Sequence, residues 1–129
     1  MYTIGDFLIQ IKNGYMAGRK EISLPYSRTS LAIAKILTDE GYMKKVDVVE
    51  EENGRKKIKA ELLYKNKRPA LRGVKLISKP SVHRYVSKNS IKRLGANFGI
   101  TVVSTSKGIM TGSEALKEGV GGELLCEIS

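Results

Sequence analysis

The chain has 129 residues, with 23 Lys plus Arg against 13 Asp plus Glu, a formal charge of +10, and 41% hydrophobic residues. That hydrophobic share is too large for a disordered basic tail, no uncharged run is long enough to span a membrane, and the single cysteine, Cys126, cannot close an internal disulfide. What remains is a small, foldable, basic chain suited to a reducing, cytoplasmic compartment, with a polyanion as partner and nucleic acid as the first candidate.

The N-terminus lacks a basic start followed by an apolar run, so no signal peptide is expected. Residues 3–16 read as an amphipathic helix: Ile4, Phe7, Leu8 and Ile11 recur at i, i+3, i+4 and i+7, with Thr3 as cap and Asp6 three residues on. Residues 21–25 alternate like a short strand stopped by Pro25. A second helix is expected over 28–40, capped by Ser27, ended by Gly41 and striped by Ile33, Ala34, Ile36 and Leu37. Tyr42 to Glu52 and Arg55 to Tyr64 read as a hairpin around Asn53-Gly54 with a two-residue turn. That register pairs Glu52 with Arg55, Glu51 with Lys56 and Glu50 with Lys57. The mixed parity of Val46, Val48 and Val49 leaves room for a bulge.

Residues 65–72 read as a basic linker with a Pro stop at Pro69. Beyond it, Val74, Leu76 and Ser78 alternate with Lys75, Ile77 and Lys79, and Val82 to Val86 offer another short strand. A short helix is expected from Asn89 or Ser90 to Leu94, a strand over 99–104, a helix over 111–117 on Met110, Ala115 and Leu116, and a last strand from Glu123 to Ile128. The predicted architecture is α+β in two small domains. An α-β-α-β-β unit occupies 1–64, the linker 65–72, and a mostly β domain with short helices 73–129.

The charge is uneven. Residues 1–52 carry 7 basic and 8 acidic groups, residues 53–113 carry 15 basic and one acidic (Glu61), and residues 114–129 carry one basic and 4 acidic. Between Glu61 and Glu114 there is no carboxylate, while Lys65, Lys67, Arg68, Arg72, Lys75, Lys79, Arg84, Lys88, Lys92, Arg93 and Lys107 all fall there. A solvated face normally mixes both signs, so this stretch points to a phosphate-facing surface.

Three features could carry recognition. Ser104-Thr105-Ser106, followed by Lys107-Gly108, places three hydroxyls at a strand end. Each donates and accepts, and so can meet ribose, phosphate or base edges; the plainer reading is a polar turn. Tyr85, beside Arg84, can stack on an unpaired base or pack on a sheet. Glu123, after Gly121-Gly122, can orient a lysine, accept from a base amine, or simply balance charge. One His (His83) and one Cys supply no metal set, Ser104 and Ser106 lack a Gly-x-Ser-x-Gly elbow, and the Walker spacing is absent. No metal, no cofactor and no catalytic activity are expected. Two rivals remain: a nucleic-acid module without sequence preference, and a small phosphotransfer or hydrolytic enzyme using Ser104, Lys107 and His83.

The segment Gly99-Ile-Thr-Val-Val-Ser-Thr-Ser-Lys-Gly108-Ile-Met-Thr111, then Glu114-Ala115 and Gly121-Gly122-Glu123-Leu-Leu-Cys126, resembles bacterial small-subunit ribosomal protein eight. Ile11-Lys12-Asn13-Gly14, Pro25-Tyr-Ser27-Arg28, Leu37 through Tyr42, Ser78-Lys79-Pro80 and Tyr85 extend the resemblance along the chain, with departures at Ser81 and His83. The resemblance implies a primary binder of the central domain of the small-subunit rRNA, acting early in assembly and placed among neighbouring small-subunit proteins. It implies that Ser104, Thr105, Ser106 and Lys107 face the RNA with Tyr85 and Glu123 nearby. Arg84, Lys79 and Lys88 would add charge, and Ser27, Arg28 and Thr3 weaker contacts. It also implies a monomer when free and, in some bacteria, binding to the protein's own operon mRNA.

Overall fold

The computed structural model describes residues 4–78, 85–87 and 99–129. The chain divides into two compact units, Met1–Arg72 and Gly73–Ser129.

In the first unit, α1 (Ile4–Met16) buries Phe7, Leu8 and Ile11, the stripe its periodicity defines. Strand β1 (Glu21–Pro25) leads into α2 (Arg28–Asp39). The Ser27 side chain accepts from Ser30 N at 3.0 Å and caps α2, satisfying one of the donors left over at a helix start. The helix buries Ile33, Ala34, Ile36 and Leu37 and closes with Glu40 N donating to Ile36 O at 2.9 Å. Strands β2 (Met43–Glu50) and β3 (Lys56–Leu62) complete an antiparallel sheet of order β1-β3-β2. Leu24, Ile58, Ala60, Leu62 and Met43 are buried. The strands also carry cations that are neutralised locally: Lys59 meets Glu21 at 3.3 Å and Lys45 meets Asp47 at 3.5 Å. Tyr15 ties helix to sheet, its hydroxyl donating to Tyr42 O and accepting from Leu63 N.

The hairpin differs by one residue from the expected register. Glu50 pairs with Lys56 and Val49 with Lys57, and Glu51 N donates to Arg55 O at 2.7 Å. The loop holds three residues, not two. Gly54 N closes on Glu51 O at 2.9 Å, and Asn53 Oδ1 accepts from Arg55 N at 3.0 Å. Gly54 alone takes a positive φ, +83°, whereas a two-residue turn of the expected kind needs both central residues there. The β2 bulge falls between Met43 and Lys45, and Val48 and Val49, both more than 40% exposed, run through an unbroken register.

The segment expected as a linker contains a small hairpin, β4 (Tyr64–Lys65) and β5 (Arg68–Pro69). Ala70 N donates to Leu63 O at 2.9 Å and Leu71 is buried, which ties this segment to the first unit.

The second unit is built on β10 (Gly122–Ile128). One edge of β10 pairs along its length with β8 (Ile100–Thr105), which pairs in turn with β9 (Gly108–Thr111). The other edge is shared by β6 (Val74–Leu76) and β7 (Tyr85–Val86). Between β9 and β10 lies α3 (Gly112–Glu118), capped by Thr111, whose hydroxyl accepts from Glu114 N at 3.2 Å. Val103, Met110, Ala115 and Leu124 form one core cluster, with Ile77 and Val120 against it, and Val102, Leu125, Cys126 and Ile128 are buried as well. Leu116, expected on the apolar face of α3, is 41% exposed; Ala115 alone of that pair is buried. The fold is α+β, with antiparallel sheets in both units. The helix expected over 89–94 and most of the strand expected over 82–86 lie outside the described residues. Among the described residues, no helix is long and apolar enough to cross a membrane.

Candidate nucleic-acid interface

Sheet register brings three of the expected residues into one row. Tyr85 on β7 is the direct partner of Glu123 on β10, and Glu123 is the direct partner of Ser104 on β8. Directly opposed residues in an antiparallel sheet send their side chains to the same face, so the three span roughly 10 Å of one surface. One step along, Val103 and Leu124 are also partners, and they point to the opposite face, into the core with Met110 and Ala115. The alternation of β8 therefore turns Ser104 away from the cluster that Val103 joins, onto the face on which Val102 is buried further along the strand.

A packing tyrosine would be covered, and Tyr85 is 75% exposed at a strand. Its ring offers a flat, unshared surface of the kind that stacks on a base. Ser104 and Glu123 are half-buried beside it.

The hydroxyl block splits into two kinds of residue. Thr105 Oγ1 donates to Gly108 O at 2.8 Å and accepts from Lys107 N at 3.1 Å. Its single proton is thereby engaged, and its task is to shape the β8–β9 turn. Ser106 sits at the turn's tip, exposed, with no hydrogen bond among the described residues. Lys107 is exposed too, but its Nζ lies 3.1 Å from Glu118 Oε2 at the end of α3, so part of its charge is balanced within the unit.

Ser27 and Arg28 are exposed at the start of α2 in the first unit, with Ser27 engaged as its cap. Thr3, Lys79, Arg84 and Lys88 lie outside the described residues, as does His83. Sequence reasoning did not single out Gly122 as a positioning residue. A Cβ there would lie 2.1 Å from Ser104 O, so glycine lets β10 approach the hydroxyl block; the signal was Gly121-Gly122 directly before Glu123.

Cys126 is fully buried between Leu76 and Val102, and burial, followed by the nearby Glu127 charge, pushes its thiol up to about 12. A thiol so protonated is a core side chain, not a nucleophile. Among the described residues no group of three or more His, Cys, Asp or Glu could hold a metal ion.

Fold and face together define a small basic α+β protein presenting an aromatic and hydroxyl-bearing strand surface. The family model described as ribosomal protein S8 matches residues 2–129. The chain is 37% identical over 126 residues to small ribosomal subunit protein uS8 of Hydrogenovibrio crunogenus, covering 98% of this chain and 95% of that protein. It is 40% identical over 126 residues to the uS8 of Protochlamydia amoebophila (97% and 95% covered) and 43% identical over 125 residues to that of Dictyoglomus turgidum (97% and 95%). The chain belongs to the ribosomal protein S8 family, whose members are structural components of the ribosome and not enzymes.

Proposed function

We propose that this chain binds the central domain of the small-subunit rRNA directly, early in subunit assembly, through the Tyr85–Glu123–Ser104 row and the Ser106 tip. The observation that carries this reading is the exposed Tyr85 held in register with Glu123 and Ser104. Stacking and hydroxyl contacts read irregular RNA, where bases are unstacked and 2′-hydroxyls accessible. Lys and Arg between Lys65 and Lys107 supply affinity through phosphates, and the row supplies selectivity. Neighbouring small-subunit proteins are the expected protein partners, and the free chain is read as a monomer. An mRNA that copies the rRNA site would be bound by the same row.

Chemical footprinting on full-length small-subunit rRNA tests the reading. Protection confined to one central-domain helix, lost with Tyr85→Ala, is the expected result. Protection spread over many helices, or displaced by bulk duplex competitor, would favour a module without sequence preference and overturn the proposal.

A further inference from the structure

The first unit holds a groove of about 600 Å³ whose lining includes Lys65, Arg68, Arg72, Tyr42 and Glu40. Lys65 and Arg68 are direct partners across β4 and β5. Like charges placed opposite each other on adjacent strands oppose pairing. The turn that joins them adds a further cost, because Asn66 and Lys67 both take positive φ, 53° and 64°, and Lys has no side-chain means of relieving that conformation. Yet this hairpin is anchored on both sides, by the Ala70–Leu63 backbone bond and by buried Leu71.

Elsewhere in this unit Lys45 pairs with Asp47, Lys57 with Glu51, and Lys59 with Glu21. Lys65, Arg68 and Arg72 make no ion pair among the described residues, and Glu40 is the only carboxylate in the groove lining. Three cations thus line one groove against a single carboxylate, which leaves its lining net positive. We infer that this groove takes a stretch of RNA phosphate backbone, as a contact in addition to the Tyr85 row. Phosphate oxygens would relieve the Lys65–Arg68 repulsion, and the two guanidinium groups can each grip phosphate with paired donors.

This inference rests on the reading of the chain as an rRNA binder, and one experiment separates the two. The full chain is titrated with transcribed small-subunit rRNA over a series of KCl concentrations. The variants are a groove triple (Lys65→Gln, Arg68→Gln, Arg72→Gln) and a charge-matched control (Lys45→Gln, Lys57→Gln, Lys59→Gln), with thermal melts confirming that both fold. The groove triple should lower the slope of log K against log salt by roughly 2.1–2.7, at roughly 0.7–0.9 per lost contact. The control should leave the slope within half a unit of wild type, and Ser106→Ala should reduce affinity at an unchanged slope. An unchanged slope in the groove triple overturns the inference, and so does an equal fall in the control; an acidic protein segment occupying the groove would give the first of these. If wild type fails to prefer rRNA over bulk duplex, the functional reading falls, and the inference falls with it.

Discussion

Gly122 lies so close to Ser104 that a Cβ added to it would sit 2.1 Å from the Ser104 carbonyl oxygen and 2.9 Å from its carbonyl carbon. Both atoms are backbone, so no rotamer change can make room. The glycine here serves close approach, which holds Glu123 beside Ser104. Gly122→Ala should therefore destabilise the second unit by about 2 kcal/mol. Gly54→Ala, which meets only a positive φ and open space, should cost about 1 kcal/mol. Urea titration of both variants gives the comparison. Equal losses would mean that the approach of β10 to the hydroxyl block tolerates a side chain.

Thr105 and Ser106 are adjacent, yet their substitutions should separate stability from binding. Thr105→Val keeps the shape but removes the bonds to Lys107 N and Gly108 O, and should lower stability by about 1 kcal/mol. Ser106→Ala removes an exposed hydroxyl with no partner among the described residues and should leave the melting temperature unchanged. On the proposed function, Ser106→Ala weakens cognate RNA binding several-fold while generic duplex binding stays constant. A Ser106→Ala variant with unaltered cognate affinity would remove the turn tip from the interface.

Much of the first unit is legible in its residues. Phe7, Leu8 and Ile11 announce the buried face of α1, and Ser27 before a 3.6-period stripe announces the start of α2. These are local signals, and helices are local structures. The row of the proposed interface is different. Ser-Thr-Ser at a strand end is visible, but its alignment with Tyr85 requires β7 to pair with one edge of β10 while β8 pairs with the other. No residue near Tyr85 encodes a partner 38 positions away, so the residues suggest the parts and only the sheet assembles them. Turns show the same limit. Asn53-Gly54 reads as a two-residue turn but forms a three-residue loop, because Asn53 bonds back to Arg55 and leaves Gly54 alone in the left-handed region. Positive φ at both turn residues occurs instead at Asn66-Lys67, where no glycine advertises it.

The shifted hairpin register has an energetic consequence. Lys57 Nζ reaches Glu51 Oε1 at 3.0 Å, a diagonal contact, while its register partner is Val49. Both side chains are at least a third exposed, so the pair is worth no more than about 0.2–1 kcal/mol. A double-mutant cycle on Glu51 and Lys57 should return a coupling in that range, screened away at high salt. The cycle on Glu50 and Lys57, partners in the two-residue register, should return a smaller one. A larger coupling for Glu50 would restore the unshifted hairpin.

Cys126 makes the stability of the fold sensitive to alkali. Its thiol is neutral when protonated, and burial raises the folded-state pKa from the ordinary 9.0 to about 12. The folded chain thus holds a proton that the unfolded chain releases first. Stability from this group is complete below about pH 9 and declines as pH rises from about 9 to about 12, with a slope approaching about 1.4 kcal/mol per pH unit. Tyr15, whose hydroxyl is also raised by burial against the opposing pull of the Leu63 backbone bond, acts in the same direction at higher pH. Chemical denaturation at pH 8, 9.5 and 10.5 should show a falling midpoint in wild type. In Cys126→Ala the starting stability should be lower, since a fully buried side chain is trimmed, but the fall with pH should be shallower. A thiol reagent should leave the native chain unmodified and react readily in denaturant. Rapid native labelling, or an identical pH slope in the alanine variant, would place Cys126 outside the core of the second sheet.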